Sequence, residues 1–287
     1  MLMKTVPILL FAGAVAFVSS STVRTARANP AFKVPVVTVH AKDFAFVTPA
    51  TISAGQTTFR LVNDGKVLHH LSIMKLAKGK TLADFQTAIK TPGPLPAWVT
   101  EVGGPNAAVP GGTIEATLTL DAGNYVLACW IPSPGEQAPH AMKGMLQALT
   151  VAPAGGVMQA GAAFAPTPVP DVHLVLKDYG FHFSKPLTAG KHVIHVMNEG
   201  PQSHEAIFIK LAPGKHAADM VTWVETGMKG PPPGAPVDGM SGMSKGLTGI
   251  FPANLTAGNY ALLCEAPDSK DGKSHAQHGM VLDVEVK

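Results

Sequence analysis

Eight residues of this 287-residue chain have the side chains and spacing to hold a soft metal ion. They form two sets: His69, Cys129, His140 and Met145, then His204, Cys264, His275 and Met280. Each set offers two imidazoles, one thiolate and one thioether. That mixture favours copper, because two His and one Cys in a trigonal plane, with a weak axial Met, make a blue electron-transfer site. Zinc accepts His and Cys but seldom uses Met. Plainer readings stand beside these. A cysteine is often a small buried hydrophobe, and a histidine is often structural. A Cys129–Cys264 disulfide would need Cα atoms within about 7 Å.

One offset relates the two sets, 204 − 69 = 135. It also carries Lys42-Asp43 to Lys177-Asp178, Asn63-Asp64-Gly65 to Asn198-Glu199-Gly200, and Ala122-Gly123-Asn124-Tyr125 to Ala257-Gly258-Asn259-Tyr260. The repeat separates competitors. His69 is preferred to His70, whose counterpart is Glu205, and His275 to His278, whose counterpart is Lys143. Trp98 best matches Trp223, at 223 − 98 = 125, which implies extra residues around 79–97 and compensating ones in the Pro/Gly/Met-rich run 228–245. Met240 and Met243 in that run read as passengers of a loose loop, with transient Cu(I) capture as the alternative. Trp130, beside Cys129, reads as packing, or as a residue that tunes the site or shapes a docking face.

The elements that must position these residues read as β. Segments 34–42, 57–62 and 113–120 run in near alternation, as do 172–177 and 192–197 of the second repeat, while 71–76, 125–129 and 145–151, and 206–211, 260–264 and 280–286, read as further strands between turns. Short strands punctuated by Gly-rich turns predict a sandwich or barrel. The only short helices expected are 81–90 and 216–226. His192 and His195 fall on opposite faces of one strand and read as structural or surface residues. The Cys ends a strand, and the second His and the Met sit in the loop before the last strand, so all four donors can meet at one end.

These motifs resemble those of the cupredoxins, small blue-copper β-sandwich proteins. The shared pattern is Asn-x-Gly-x-x-x-His, Gly-x-Tyr-x-x-x-Cys and His-x-x-x-Gly-Met, at Asn63–His69, Gly123–Cys129 and 140–145, and again at Asn198–His204, Gly258–Cys264 and 275–280. The resemblance implies two tandem cupredoxin-like Greek-key sandwiches, all-β with short helical insertions. It also implies one type 1 copper per repeat, held by His69, Cys129, His140 and Met145 and by His204, Cys264, His275 and Met280. The sequence departs from the family in the Cys-to-His spacing of 140 − 129 = 11, and in His70 and Glu205, where the family often has a residue that braces the Cys loop.

Residues 1–28 read as a secretory signal: Lys4, a short apolar run, and Ala26-Arg27-Ala28 before the cleavage point. Residues 29–153 and 171–287 then read as two domains joined by a Pro/Ala/Gly-rich linker or strap at 154–170. Without Lys4, Arg24 and Arg27 the chain carries 19 basic and 19 acidic residues, which argues against a nucleic-acid partner. The expected setting is the periplasm or outside the cell, with no membrane span after cleavage and an unidentified redox partner protein. The leading function is one-electron transfer without catalysis, and the alternative is copper sequestration, delivery or sensing. A two-domain copper oxidase or nitrite reductase would need His-x-His pairs and a His beside the Cys. Here the cysteines are flanked by Ala128 and Trp130 and by Leu263 and Glu265. In the electron-transfer reading His140 or His275 is the ligand nearest solvent and the electron exit.

Overall fold

The first repeat opens with an alternating Val-rich strand, β1 (Lys33–Lys42), followed by β2 (Ala45–Val47), β3 (Thr51–Ser53), β4 (Gly55–Asn63) and β5 (Ser72–Leu76). Helix α1 (Leu82–Ala88) leads to β6 (Val99–Gly103), β7 (Thr113–Leu120), β8 (Gly123–Ala128), one 3-10 turn (His140–Lys143) and β9 (Leu146–Ala152). Next comes β10 (Ala163–Pro166), inside the expected linker, which pairs with β1. The second repeat runs β11 (Val172–Lys177), β12 (Gly180–Phe183), β13 (Gly190–Asn198) and β14 (His204–Leu211). It ends with α2 (Ala217–Glu225), β15 (Gly234–Met243), β16 (Thr248–Leu255), β17 (Gly258–Leu263) and β18 (Val281–Val286). This is a computed structural model that describes residues 33–91, 93–156 and 163–287. The expected signal segment, residues 1–28, lies outside the described residues.

The fold is all-β. Two nine-stranded sheets are described, and both run through both repeats. The first has the order β10-β1-β4-β7-β16-β13-β11-β12, with β2 on β1, and the second β18-β17-β14-β15-β6-β5-β8-β9-β3. The described residues from 33 to 287 accordingly form one compact unit. Alternation puts Phe59, Leu61, Leu118, Leu127 and Leu149 of the first repeat in one continuous core with Leu174, Val196, Phe208, Phe251 and Leu262 of the second. Each helix covers the outer face of the second sheet. Phe85 of α1 is fully buried against Met74 and Val126, and Met220 of α2 packs with Ile209 and Leu263. Burial of such a side chain stabilises by about 1.5–3 kcal/mol.

The structure corrects two expectations. The 228–245 run is not a loose loop, because its second half is β15, and Met240 and Met243 are fully buried at the seam between the repeats. Met240 reaches over Gly103 and Gly249, where any Cβ would meet its side chain, and its Sδ accepts the Gly104 N–H at 3.4 Å. The Trp98–Trp223 match also fails, since Trp98 lies in the approach to β6 and Trp223 lies within α2. The helix N-caps, Thr81 and His216, are related by 135, as are Gly104 and Gly239, both at φ 146° and both pressed against a carbonyl, of Leu71 and of Ala206. The offset therefore holds through the middle of the repeat without insertions.

Candidate metal centres

The Asn-x-Gly turn after β4 exists to deliver a histidine. Asn63 is fully buried, and its Nδ2 donates to the Val67 and Ala108 carbonyls at 2.8 Å while its Oδ1 accepts the Gly65 N–H at 2.9 Å. Asn198 does the same for Gln202, Met243 and Gly200. Gly65 and Gly200 are demanded by close approach, because a Cβ at either would run into the ring of His69 or His204.

Cys129 and Cys264 follow directly on β8 and β17 and are buried, free thiols, which removes the disulfide alternative. The Cys129 carbonyl accepts the Ala141 N–H at 2.7 Å and its N–H donates to the Met145 carbonyl at 3.4 Å, while the Met145 N–H donates to the His140 carbonyl at 3.0 Å. Cys264, Ala276, Met280 and His275 are tied together in the same way. Thus the backbone locks Cys, the second His and Met into one unit in each repeat, and both Met side chains are fully buried.

The structure brings His69, Cys129 and His140 together, with donor atoms all within 4.8 Å of one another, and likewise His204, Cys264 and His275. Cys129 Sγ lies 3.9 Å from His69 Nδ1 and 3.5 Å from His140 Nδ1. Cys264 Sγ lies 3.9 Å from His204 Nδ1 and 3.4 Å from His275 Nδ1, and those two nitrogens are 2.9 Å apart. Donors sharing one borderline-soft ion at bond lengths of about 2.0–2.3 Å sit about 3.3–3.7 Å from one another. The sulfur distances to His140 and His275 fall in that range, those to His69 and His204 lie just above it, and the His204–His275 nitrogen pair lies below it.

A carboxylate beside the outer nitrogen of the first histidine in each repeat fixes which of its ring atoms is free. Asp43 Oδ1 lies 2.9 Å from His69 Nε2, and Asp178 Oδ1 lies 2.5 Å from His204 Nε2. A carboxylate accepts, so Nε2 carries the proton and Nδ1 turns a lone pair toward the thiol. His140 Nε2 lies 3.1 Å from Ser133 Oγ. Once the thiol gives up its proton, the first imidazole's lone pair and the sulfur face each other across a space suited to a cation.

Electrostatics agrees. Burial lowers the His69 pKa, against the pull of Asp43, and lowers His204 likewise. Burial, then repulsion from the neighbouring imidazole, takes His140 and His275 to about 4. Burial raises the Cys129 thiol to about 12 and Cys264 well above its ordinary value. Asp43 is lifted by burial, but its hydrogen bonds to His69 and to the Lys66 N–H prevail and hold it below its usual range. The imidazoles are therefore neutral and ready to ligate at pH 7, whereas each thiol must surrender a proton to do so.

The position after each first His braces the Cys loop with unusual chemistry. His70 Nε2 accepts the Trp130 N–H at 2.8 Å, and the His70 N–H reaches Cys129 Sγ at 3.5 Å. Glu205 Oε1 accepts the Glu265 N–H at 3.1 Å, and its own N–H reaches Cys264 Sγ at 3.3 Å. Burial takes His70 to about 3 and Glu205 to about 7. Trp130 does pack, against Phe85 at 6.2 Å, and also lines a large cleft with Trp223 and Glu205.

Exposure does not single out His140 or His275 as the exit toward solvent. All four imidazoles are fully buried. Phe44 covers His140 at a ring separation of 4.7 Å, and Tyr179 covers His275 at 5.3 Å. Both covering rings follow a cis peptide, Asp43–Phe44 and Asp178–Tyr179. Sequence reasoning assigned no role to Asp43 or Asp178, although the repeated Lys-Asp pair was the signal.

No protein-family model and no curated protein sequence matches the chain. Among solved structures it is similar to a dithionite-reduced auracyanin from Roseiflexus castenholzii (26% identity, 41% of this chain, 97% of that one, TM-score 0.30). It is also similar to auracyanin A, a blue copper protein from Chloroflexus aurantiacus (24%, 40% and 97%, TM-score 0.29). A copper nitrite reductase from Nitrosomonas europaea is similar over 88% of this chain and 93% of its own, at 14% identity and TM-score 0.26. The case for a metal rests on the donors themselves.

Proposed function

We propose that the chain is an exported two-site copper protein that passes single electrons. One observation carries this reading: in each repeat two imidazole nitrogens and one buried Sγ converge within 4.8 Å, with the tautomer of the first His set by a carboxylate. The donor set is soft and mixed, and Met145 and Met280 lie within the same backbone unit as a weak fourth donor. Each site belongs to one repeat, 29–153 or 171–287, and the two repeats share one core.

Bound copper would supply the Cu(II)/Cu(I) couple. The protein does the rest. Asp43 and Asp178 orient the first imidazoles, Ser133 orients His140, and Phe44 and Tyr179 shut out water. The N–H groups of His70 and Glu205 point at the sulfurs and stabilise the thiolates. Neither cysteine has a neighbouring histidine to hold a catalytic second copper, which supports a carrier over an oxidase or nitrite reductase.

Copper stoichiometry and the visible spectrum of the mature protein after Cu(II) loading test the proposal. Two coppers per chain with an intense thiolate-to-copper band are expected. Tight Cu(I) binding without that band would assign the protein to copper handling, and absence of binding would overturn both.

A further inference from the structure

The first and second repeats differ just outside the second histidine. In the first, Lys143 Nζ donates to Ser133 Oγ at 3.3 Å, pairs with Glu136, and lies 4.6 Å over the Phe44 ring. The repeat offset of 135 turns Ser133, Glu136, Lys143 and Phe44 into Asp268, Asp271, His278 and Tyr179. The built-in ammonium has become an imidazole, and the two groups it bonded are now both carboxylates.

Those three groups have ligand atoms all within 4.8 Å of one another. His278 Nε2 is 3.1 Å from Asp271 Oδ1. The loop that carries them is well fixed. Asp268 Oδ1 accepts the Lys270 N–H at 2.8 Å, Asp271 Oδ1 accepts the Lys273 N–H at 3.0 Å, and the His278 ring stacks on Tyr179 at 5.3 Å. Asp268 Oδ2 accepts from the Tyr179 hydroxyl and from Gln202 Nε2. Asp268 is almost fully buried, while Asp271 and His278 are open to solvent. Among the described residues, both carboxylates ion-pair with imidazoles alone, with no lysine or arginine. A second observation points the same way. His275 Nε2 is fully buried, has no hydrogen-bond partner, and faces Asp268 Oδ2 at 3.7 Å.

We propose that Asp268, Asp271 and His278 form a third metal site, for a divalent transition cation of the zinc or copper(II) class, on the outer side of the second His2Cys group. An imidazole with two carboxylates is a borderline donor set of that kind, with no thiolate and hence no blue colour. The cation takes the place that the Lys143 ammonium occupies in the first repeat. One carboxylate, Asp268, then stands between the new charge and His275, so occupancy makes the two inner sites unequal. This last consequence rests on the copper reading, but the site itself does not.

Zn2+ titration calorimetry of the mature chain carrying Cys129→Ser and Cys264→Ser tests the site without the inner thiolates. One equivalent is expected to bind with ligation by His278, seen as a shift of its ring protons by NMR. Asp271→Asn should weaken it at least about tenfold, since loss of even an outer-sphere partner costs about 10–100-fold. His278→Lys restores the first repeat's ammonium in a framework that already accommodates one, so it should fold and lose that equivalent. Unchanged stoichiometry and affinity in His278→Lys, or no shift of the His278 ring, would overturn the site and leave the inner copper sites untouched.

Discussion

Asp178 Oδ1 stands 2.5 Å from His204 Nε2, and Asp43 Oδ1 stands 2.9 Å from His69 Nε2 at the matching position. Each carboxylate selects the tautomer that leaves Nδ1 free and holds the ring at the angle the site needs. Asp43→Asn and Asp178→Asn are each expected to weaken copper binding at their own site by about 10–100-fold while leaving the other site unaffected. Competition with a chromophoric chelator would measure this, and equal affinities in wild type and variants would remove the carboxylates from the site.

Cys129 and Cys264 belong to separate sites. Cys129→Ser and Cys264→Ser should each lose one copper and its share of the thiolate-to-copper band, and the double variant should lose the whole band. A variant that keeps the full spectrum would show that its cysteine is not a ligand.

Copper uptake should release protons. Burial holds the Cys129 thiol at about 12 and Cys264 well above its ordinary value, so both enter the reaction protonated at pH 7 and leave it as thiolates. About one proton per site should appear, read from calorimetry in buffers of different ionisation enthalpy. A heat that does not depend on the buffer would contradict thiolate ligation.

The metal-free protein should weaken in mild acid. The folded-state values of His70, at about 3, and of His140 and His275, at about 4, lie below the ordinary 6.5. Below pH 6.5 the unfolded chain therefore takes up protons that the folded one refuses. The stability these groups contribute is complete above 6.5 and drains away as pH falls toward 4. Each histidine costs about 1.4 kcal/mol per pH unit in that window. Urea midpoints between pH 8 and pH 4 measure it, and a flat profile would refute the burial of neutral imidazoles.

Met240 fills the seam between the repeats, so Met240→Ala should destabilise by about 2–5 kcal/mol. The loss should appear in a single transition that unfolds both repeats. Unfolding of one repeat alone would contradict a shared core.

Much of this was legible because the chain says it twice. The Asn-x-Gly, Gly-x-Tyr and His-x-x-x-Gly-Met motifs fix local turns, and every strand expected from the sequence is present, with 113–120 and 172–177 matching β7 and β11 to the residue, whereas β2, β3, β6, β10, β12, β15 and β16 were not foreseen. The seam was not legible. The Gly-, Pro- and Met-rich β15 looks like a loop in composition, yet Gly239 is small because a carbonyl presses on it, and the methionines are there because two repeats close over them. Such tertiary demands override strand propensity. The depth of the imidazoles was hidden too, since Phe44 and Tyr179 sit far from them in sequence. The Asp268, Asp271 and His278 cluster shows only when Lys143 is set beside His278.

The seam has its own symmetry. Pro105 bridges Met240, and these are equivalent positions, 240 − 105 = 135. Val102 pairs with Met243, and Thr117 with Ile250, in antiparallel registers that the same offset maps onto themselves. Each repeat thus offers the other the same surface, the isologous arrangement of a twofold dimer. A gene encoding one repeat would make a chain with two bare strand edges, β6 and β7, each complementary to its own copy. The present protein has the arrangement of such a homodimer carried on a single polypeptide, so the two equivalent positions need not hold the same residue, as Lys143 and His278 do not.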